Sequence, residues 1–455
     1  MCGVFGIRAP GRDVARLAYF GIYALQHRGQ ESAGVAVSEH GRLTGLRDLG
    51  LVAQVFDEQK LSGLRGELAI GHARYSTTGS NAWENAQPLI HHGSARNVAL
   101  GHNGNLTNAD ALREELAPRL SSSSDSEVIA AMIAADDRPL EEAAAGALER
   151  IDGAAAVVGL ADEKLFAFRD AHGFRPLVLG RLGDDPVVAS ETCALDLVGA
   201  TFERDIRPGE LVIAGPEGLS SHQVLPRAGG GALCIFEFFY LARPDTKLDG
   251  VEVYGARVRM GERLAAEAPV AADLVLPIPD SGTPAAIGFA RASGIPFSEG
   301  LIKNRYVHRT FIQPEQGMRD QGIRMKFNPL AEVAGKRLVI VDDSIVRGST
   351  TRQIVQMLFD AGAAEVHVRI SSPPVISPCY YGIDLADEDE MIAAGNTVEG
   401  VRRAIGATSL AYISLEALQE ATERPAAALC RACLTREYPT DIPTASGKLR
   451  FEAVR

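Results

Sequence analysis

The run Arg337-Leu-Val-Ile-Val341, continuing as Asp-Asp-Ser-Ile-Val-Arg-Gly-Ser-Thr350, constrains this chain's fold more than any other stretch. A short apolar strand leads into an acidic pair and a turn of Gly, Ser and Thr, and then into a helix from Thr350 to Asp360. Within that helix Ile354/Leu358 and Val355/Phe359 are spaced four apart, so they share one face. Gly362 closes the helix and Glu365 to Ile370 begins another strand. Strand, helix and strand at these lengths form the crossover of a parallel sheet. Asp273 to Ile278, followed by a helix from Pro284 to Ala292 that stops at Gly294, repeats the pattern.

The first half has another rhythm. Short alternating runs such as Gly34–Val37 and Ala154–Leu160 are interrupted by helical stretches at Val14–Gln26 and Glu127–Ala135. This reads as mixed strands and helices with much antiparallel pairing. With 455 residues the chain exceeds one ordinary domain. The Pro- and Gly-rich segment Pro226–Ala232 is the best boundary, giving domains at 2–231 and 232–455. No internal repeat is visible, and Ser121–Ser124 is too short for a linker.

Hydrophobic residues make up 46% and charged residues 23%, enough for a core that needs no disulfide or metal in order to fold. The net charge of -12 argues against nucleic acid as a partner. Local basic loops can still attract phosphates. No apolar run reaches the length of a membrane span, and Met1-Cys2-Gly3-Val4 does not open a signal peptide. A cytoplasmic protein with no membrane partner is expected, in which six cysteines serve as thiols, metal ligands or nucleophiles.

Cys2 stands directly behind the initiator Met. Removal of Met1 would give it a free α-amine, with a pKa of about 7.7–8.0, able to act as base. By itself Cys2 could equally begin a buried strand, Cys2–Ile7. Three polar, glycine-rich segments, Gln26–Ala33, Gly71–Thr78 and Gly101–Asn105, change the balance, because such loops carry function more often than packing. Together with Cys2 they resemble the class II glutamine amidotransferase domain, an N-terminal-nucleophile hydrolase fold with αββα layers, over roughly the first half of the chain. The resemblance implies that Cys2 attacks the glutamine amide. Asn103 and the Gly104 N–H would form an oxyanion hole. Arg74 would grip the α-carboxylate, Asp125 the α-ammonium, and Arg28 and Gly29 would orient the nucleophile. From the residues alone, Asp125 could cap a helix, Asn103-Gly104 could be a plain turn and Arg74 a surface ion pair. His27, His72 and His102 read as hydrogen-bonded structural residues.

In the second half, Gly348 lets the backbone approach an anion, while Ser344, Ser349, Thr350 and Thr351 supply hydroxyls. Asp342 and Asp343 sit at a strand end, where α/β proteins bind ligands, and suit ribose hydroxyls or Mg²⁺. The pattern resembles the phosphoribosyl pyrophosphate (PRPP) motif of type I phosphoribosyltransferases. That likeness implies PRPP contacts from Asp342, Asp343, Ser344, Arg347, Gly348, Ser349 and Thr350. The second strand-to-helix loop, Pro279–Ala286, matches the family's pyrophosphate loop, so Ser281 would join Asp342 and Asp343 around one Mg²⁺ per subunit. A plain turn is the other reading of Ser281.

Between these loops lie Lys303, Arg305, His308, Arg309, Arg319, Arg324 and Lys326. Such a cluster is usually a solvated face. Here the 301–329 stretch resembles the lid of amidophosphoribosyltransferases, with Lys303, Arg305 and Lys326 closing on PRPP. His308 departs from that family, which commonly has glycine there.

Cys430-Arg-Ala-Cys433 with Cys234 and Cys379 fits structural zinc, an iron–sulfur cluster or free thiols by spacing. The four fall where one branch of the amidophosphoribosyltransferases ligates a 4Fe–4S cluster, which implies one cluster per subunit. Relatives with the cluster often carry a propeptide; with only Met1 before Cys2, cluster insertion need not depend on its cleavage. Cys193 reads as core.

Joined, the two halves resemble the amidophosphoribosyltransferase family over nearly the whole chain. The implied activity is that of a pentosyltransferase: glutamine, PRPP and water give 5-phosphoribosylamine, glutamate and pyrophosphate, the entry step of purine synthesis. An apolar ammonia channel closing on PRPP binding, a homotetramer and inhibition by purine nucleotides are implied with it. Two rivals exist. Another class II amidotransferase would not need the Val341–Thr350 motif, and a PRPP-sensing regulator would not need Cys2, Arg74, Asn103 and Asp125.

Overall fold

The structure is a computed structural model that describes residues 2–116, 120–304, 325–385 and 388–442. Its first half is four-layered. One antiparallel sheet runs in the order Thr201–Asp205, Val178–Leu182, Asp185–Ala189, Gly3–Arg8, Leu68–Arg74, Ser32–Glu39, Arg42–Leu49. The second runs Gly218–Gln223, Glu210–Gly215, Lys164–Arg169, Gly153–Ala161, Asn97–Leu106, Leu89–His92, also antiparallel.

Alternation along each strand builds the layers. Val4 and Ile70 point into the core between the sheets, with Ala156 and Val158 opposite. Their neighbours Phe5 and Ala69 point outward, under the helices Val14–Ala24 and Thr192–Val198. Val157 and Phe168 meet Ser126–Ala135 and Leu140–Arg150 on the far side. Strands buried on both faces need apolar residues at nearly every position, which is why these runs are continuous rather than strictly alternating. The αββα sandwich is thus present.

The second half holds a parallel sheet in the order Leu274–Pro277, Arg337–Asp342, Glu365–Ile370, Ser409–Tyr412. Val339 and Val341 face one core, with Phe289 and Leu264. Leu338 and Ile340 face the other, with Ile354, Val355 and Leu358 of the helix Ser349–Asp360. The predicted strand–turn–helix and its apolar face are therefore in place. Between the halves, the expected boundary contains a short turn at Ala228–Gly230, and a two-stranded parallel ladder then ties Leu233–Cys234 to Leu429–Cys430.

No helix among the described residues is long and apolar enough to cross a membrane.

Candidate active sites

Interior strands of the two sheets bring the first site together. Cys2 precedes the strand Gly3–Arg8, and Asn103 lies on Asn97–Leu106 of the facing sheet. The Cys2 backbone N–H donates to Asn103 Oδ1 at 3.2 Å, and the Cys2 thiol donates to the Tyr75 carbonyl at 3.5 Å. Asn103 is wholly buried, and its Nδ2 has no partner among the described residues. A buried donor left unpaired is costly, and active sites are where such donors are kept. At Gly104 a Cβ would lie 1.9 Å from the Ala154 carbonyl oxygen, so no larger residue fits beside that strand.

Arg74 ends the strand Leu68–Arg74 and is buried. It donates to the carbonyls of Ser80 (3.1 Å) and Thr78 (3.2 Å), so it holds the 75–80 loop over the site. Asp125 occupies the N-cap position of Ser126–Ala135 but makes no side-chain cap bond there. Its Oδ2 instead accepts the Leu106 N–H at 2.9 Å, at the end of the strand that carries Asn103. The 121–124 loop before it is fixed by Glu127, which accepts from the N–H groups of Ser121 and Ser122. Burial opposes ionisation of Glu127, but His91 and these two serines hold its pKa down at about 2.

The three histidines are hydrogen-bonded. His72 Nε2 meets the His102 carbonyl at 3.0 Å, His102 Nδ1 meets Ser126 at 3.1 Å, and His27 Nε2 meets Glu191 at 2.7 Å. Burial drives His72 down to about 3, which keeps it neutral. Arg28 goes elsewhere than the nucleophile: its buried guanidinium bonds Glu191 through Nε and Glu237 through Nη2 (2.6 Å). Any part it has at Cys2 therefore falls to its backbone beside Gly29.

The second site is a cavity of about 520 Å³ lined by Asp342, Asp343, Ser344, Arg347, Gly348, Ser349, Thr350 and Ser281, with His27, Arg28 and Tyr75 on the wall toward the first half. Gly348 has φ 76° at the start of Ser349–Asp360, the left-handed conformation that glycine adopts most readily. The Asp343 N–H donates to Asp342 Oδ1 at 2.9 Å, and the Ser344 hydroxyl donates to Asp343 at 2.6 Å. Burial, then the charge of Asp343, raises the Asp342 pKa well up. Burial also raises Asp343, against the Ser281 and Ser344 hydroxyls. Two carboxylates and a hydroxyl are hard oxygen donors, and a cation beside them would restore the ionised pair. The set fits Mg²⁺, which takes few protein ligands and keeps its waters and substrate phosphates.

Arg347 pairs with Glu390 at the rim, and Lys303 with Asp280. The Asn304 N–H donates to the Lys326 carbonyl at 2.7 Å, which ties the two ends of the basic stretch. Arg305, His308, Arg309, Arg319 and Arg324 lie outside the described residues.

Cys234 and Cys430 are register partners in the short parallel ladder. Cys379 Sγ accepts the Tyr381 N–H at 3.4 Å, and all six cysteines are free. Burial pushes Cys234 up to about 11, against the pull of Arg175. Burial, then the charges of Cys234, Cys379 and Cys430, push Cys433 well up, so the four thiols feel one another. The expected ligand set is not preformed, however: among the described residues, no three Cys, His, Asp or Glu side chains are gathered as a metal ion would require. Cys193 is core, 3% exposed.

The sequence reading missed the residues that join the halves. Tyr75 was passed over inside the Gly71–Thr78 segment, while Glu191, Glu237, Arg175 and Asp384 belong to no local motif, and only the tertiary fold brings them together. The one signal was Tyr75 itself, which lies inside the polar segment Gly71–Thr78.

Fold and sites together define a glutamine amidotransferase joined to a phosphoribosyltransferase. A glutamine amidotransferase domain family matches residues 72–197, and a phosphoribosyl transferase domain family matches residues 259–371. The amidophosphoribosyltransferase of Mycobacterium tuberculosis is 52% identical over 466 residues, covering 98% of this chain and 88% of that protein. That of Synechococcus elongatus is 52% identical, covering 100% and 94%. The structure of glutamine PRPP amidotransferase from B. subtilis, complexed with ADP and GMP, superposes with a TM-score of 0.91 at 43% identity, covering 98% of this chain and 99% of that one. The chain belongs to the amidophosphoribosyltransferase family, whose members catalyse glutamine-dependent amination of PRPP in purine biosynthesis.

Proposed function

We propose that the reaction is divided between the two sites as follows. Cys2, with Met1 removed, attacks the glutamine side-chain amide and its own α-amine takes the thiol proton. Asn103 Nδ2 and the Gly104 N–H receive the developing oxyanion. Arg74 and Asp125 hold the two ends of the amino acid, and the Arg28–Gly29 backbone borders the nucleophile. The observation that carries this reading is the fully buried Nδ2 of Asn103, which has no partner among the described residues, on a side chain whose Oδ1 already holds Cys2.

In the transferase half, Asp342, Asp343 and Ser281 would hold Mg²⁺, which when bound neutralises the pyrophosphate leaving group. Ser344, Arg347, Gly348, Ser349, Thr350 and the start of the helix Ser349–Asp360 cradle the phosphates. Lys303, Arg305 and Lys326 supply cations from the 301–329 lid. Ammonia crosses through the cavity wall at His27, Arg28 and Tyr75 without meeting bulk water. Domain limits at 2–231 and 232–455 follow from this division.

Cys234, Cys379, Cys430 and Cys433 would hold a 4Fe–4S cluster, which when bound ties the domain junction to the C-terminal segment. The burial of Cys234, Cys430 and Cys433, with Cys379 partly buried, and the register pairing of Cys234 with Cys430 support this reading. A homotetramer, a cytoplasmic location and purine nucleotide inhibitors complete the proposal. The last is supported by the ADP and GMP of the B. subtilis complex.

The test is Cys2→Ala. Glutamine-dependent amination should vanish while ammonia-dependent amination of PRPP persists. Unchanged glutamine-dependent activity would remove Cys2 from its role.

A further inference from the structure

The five-residue π-helix Glu237–Leu241 lies between the two sites. Helices of this kind are rare and occur mostly where function needs a local distortion. Phe236, Tyr240 and Leu241 line the sugar-phosphate cavity. Arg257, from the helix Val253–Glu267, donates to the carbonyls of Phe238 (2.7 Å) and Ala242 (2.8 Å), fixing its C-terminal end.

Its N-terminal end reaches the other half of the molecule. Both Glu237 oxygens accept from Arg28, at 2.6 and 3.3 Å, and Oε1 also meets Arg175 at 3.4 Å. The side chains of Arg28 and Glu237 are wholly buried. Arg28 is anchored again by Glu191, which itself accepts from Thr246 Oγ1 (2.6 Å) and the Arg243 N–H (2.9 Å) just after the π-helix. On the chain, Arg28 is followed by Gly29, where an added Cβ would stand 2.3 Å from the Ala73 carbonyl. Ala73 pairs with Gly3, next to the nucleophile, and precedes Arg74.

A two-pronged buried pair tolerates little displacement. The planar guanidinium matches the carboxylate in one geometry, and leaving it strands two charges away from water. The Glu237–Arg28 contact therefore transmits movement of the π-helix to the Gly29 turn. We propose that Glu237 is a positioning residue that couples the sites: PRPP seated against Phe236, Tyr240 and Leu241 sets the π-helix, and Glu237 through Arg28 sets the Gly29 turn against Ala73 and Arg74, so that glutamine is hydrolysed when the acceptor is present. This rests on the assignment of the two sites above.

Two variants of the full-length enzyme test it. Glu237→Asp keeps the charge and shortens the arm, whereas Glu237→Gln keeps the length and removes the charge. Ammonia-dependent pyrophosphate release and PRPP-free glutamate release, which report on each half separately, should stay within about twofold of wild type, while the stimulation of glutamate release by PRPP falls about tenfold, the scale of coupling between sites. Undiminished stimulation in both variants, with the ammonia-dependent rate intact, would overturn the proposal and leave the two sites standing. Hydrogen exchange of the wild-type enzyme gives a second reading that needs no variant. PRPP should slow exchange in 237–241 and 26–31 together, and protection of 237–241 with none at 26–31 would equally overturn it.

Discussion

The Tyr75 hydroxyl donates a 3.1 Å hydrogen bond to Asp384, across the junction of the two halves. The carbonyl of the same residue accepts from the Cys2 thiol, and the residue lines the cavity that holds Asp342 and Asp343. One tyrosine thus touches the proposed nucleophile at one end and the proposed acceptor chamber at the other. Tyr75→Phe removes a bond of about 0.5–1.5 kcal/mol from the seam between the sites. Both half-reactions should survive, but ammonia should leak: glutamate released per pyrophosphate should rise above one, as read by paired product assays. A ratio held at one would show that this bond does not seal the passage.

Glu127 makes the proposed glutamine site sensitive to acid. Its folded pKa, about 2, lies below the ordinary glutamate value of about 4.3, so the stability it contributes is present above that value and is lost as pH falls toward 2. Glu127→Gln should flatten the fall of melting temperature over that window. It should also raise KM for glutamine at neutral pH, because the 121–124 loop that carries Asp125 loses its anchor. An unchanged acid limb would contradict this.

The phosphate turn should tolerate little at Gly348. An alanine there would be left-handed, at a cost of about 1–2 kcal/mol, and its Cβ would meet Ile392 Cδ1 at 2.7 Å. KM for PRPP should rise about tenfold, the equivalent of 1.4 kcal/mol, with little change in KM for ammonia.

These expectations draw on parts of the molecule that were unequally legible. The strand, turn and helix that carry Asp342, Asp343 and Gly348 could be read from sequence because that pattern is local and continuous. Cys2 stood out by its place behind Met1, and Asn103 and Arg74 by the short polar segments that carry them beside apolar runs. Arg28 shows the limit. Its segment marked it, but its side chain turns to Glu191 and Glu237, which lie 163 and 209 residues along the chain. Tyr75 and Asp384 are 309 residues apart. Contacts of that kind are set by how two cores dock, and neither periodicity nor turn chemistry encodes them. The π-helix Glu237–Leu241 was equally invisible, since no periodicity or turn residue marks it.

The four cysteines give a chemical test. Anaerobically purified protein should carry about four irons with matching acid-labile sulfide per chain and absorb visible light. Cys379→Ser should lose both and lower the melting temperature. Stoichiometric zinc, or thiols that all titrate freely, would contradict the cluster.

The central claim is that two sites act as one enzyme, and product balance tests it most directly. Glutamate and pyrophosphate should be measured together, from glutamine, with and without PRPP and Mg²⁺. Strong stimulation by PRPP, with the two products in equal amounts, is the predicted result. Glutamate release indifferent to PRPP, with no pyrophosphate, would contradict the account and leave only a glutaminase.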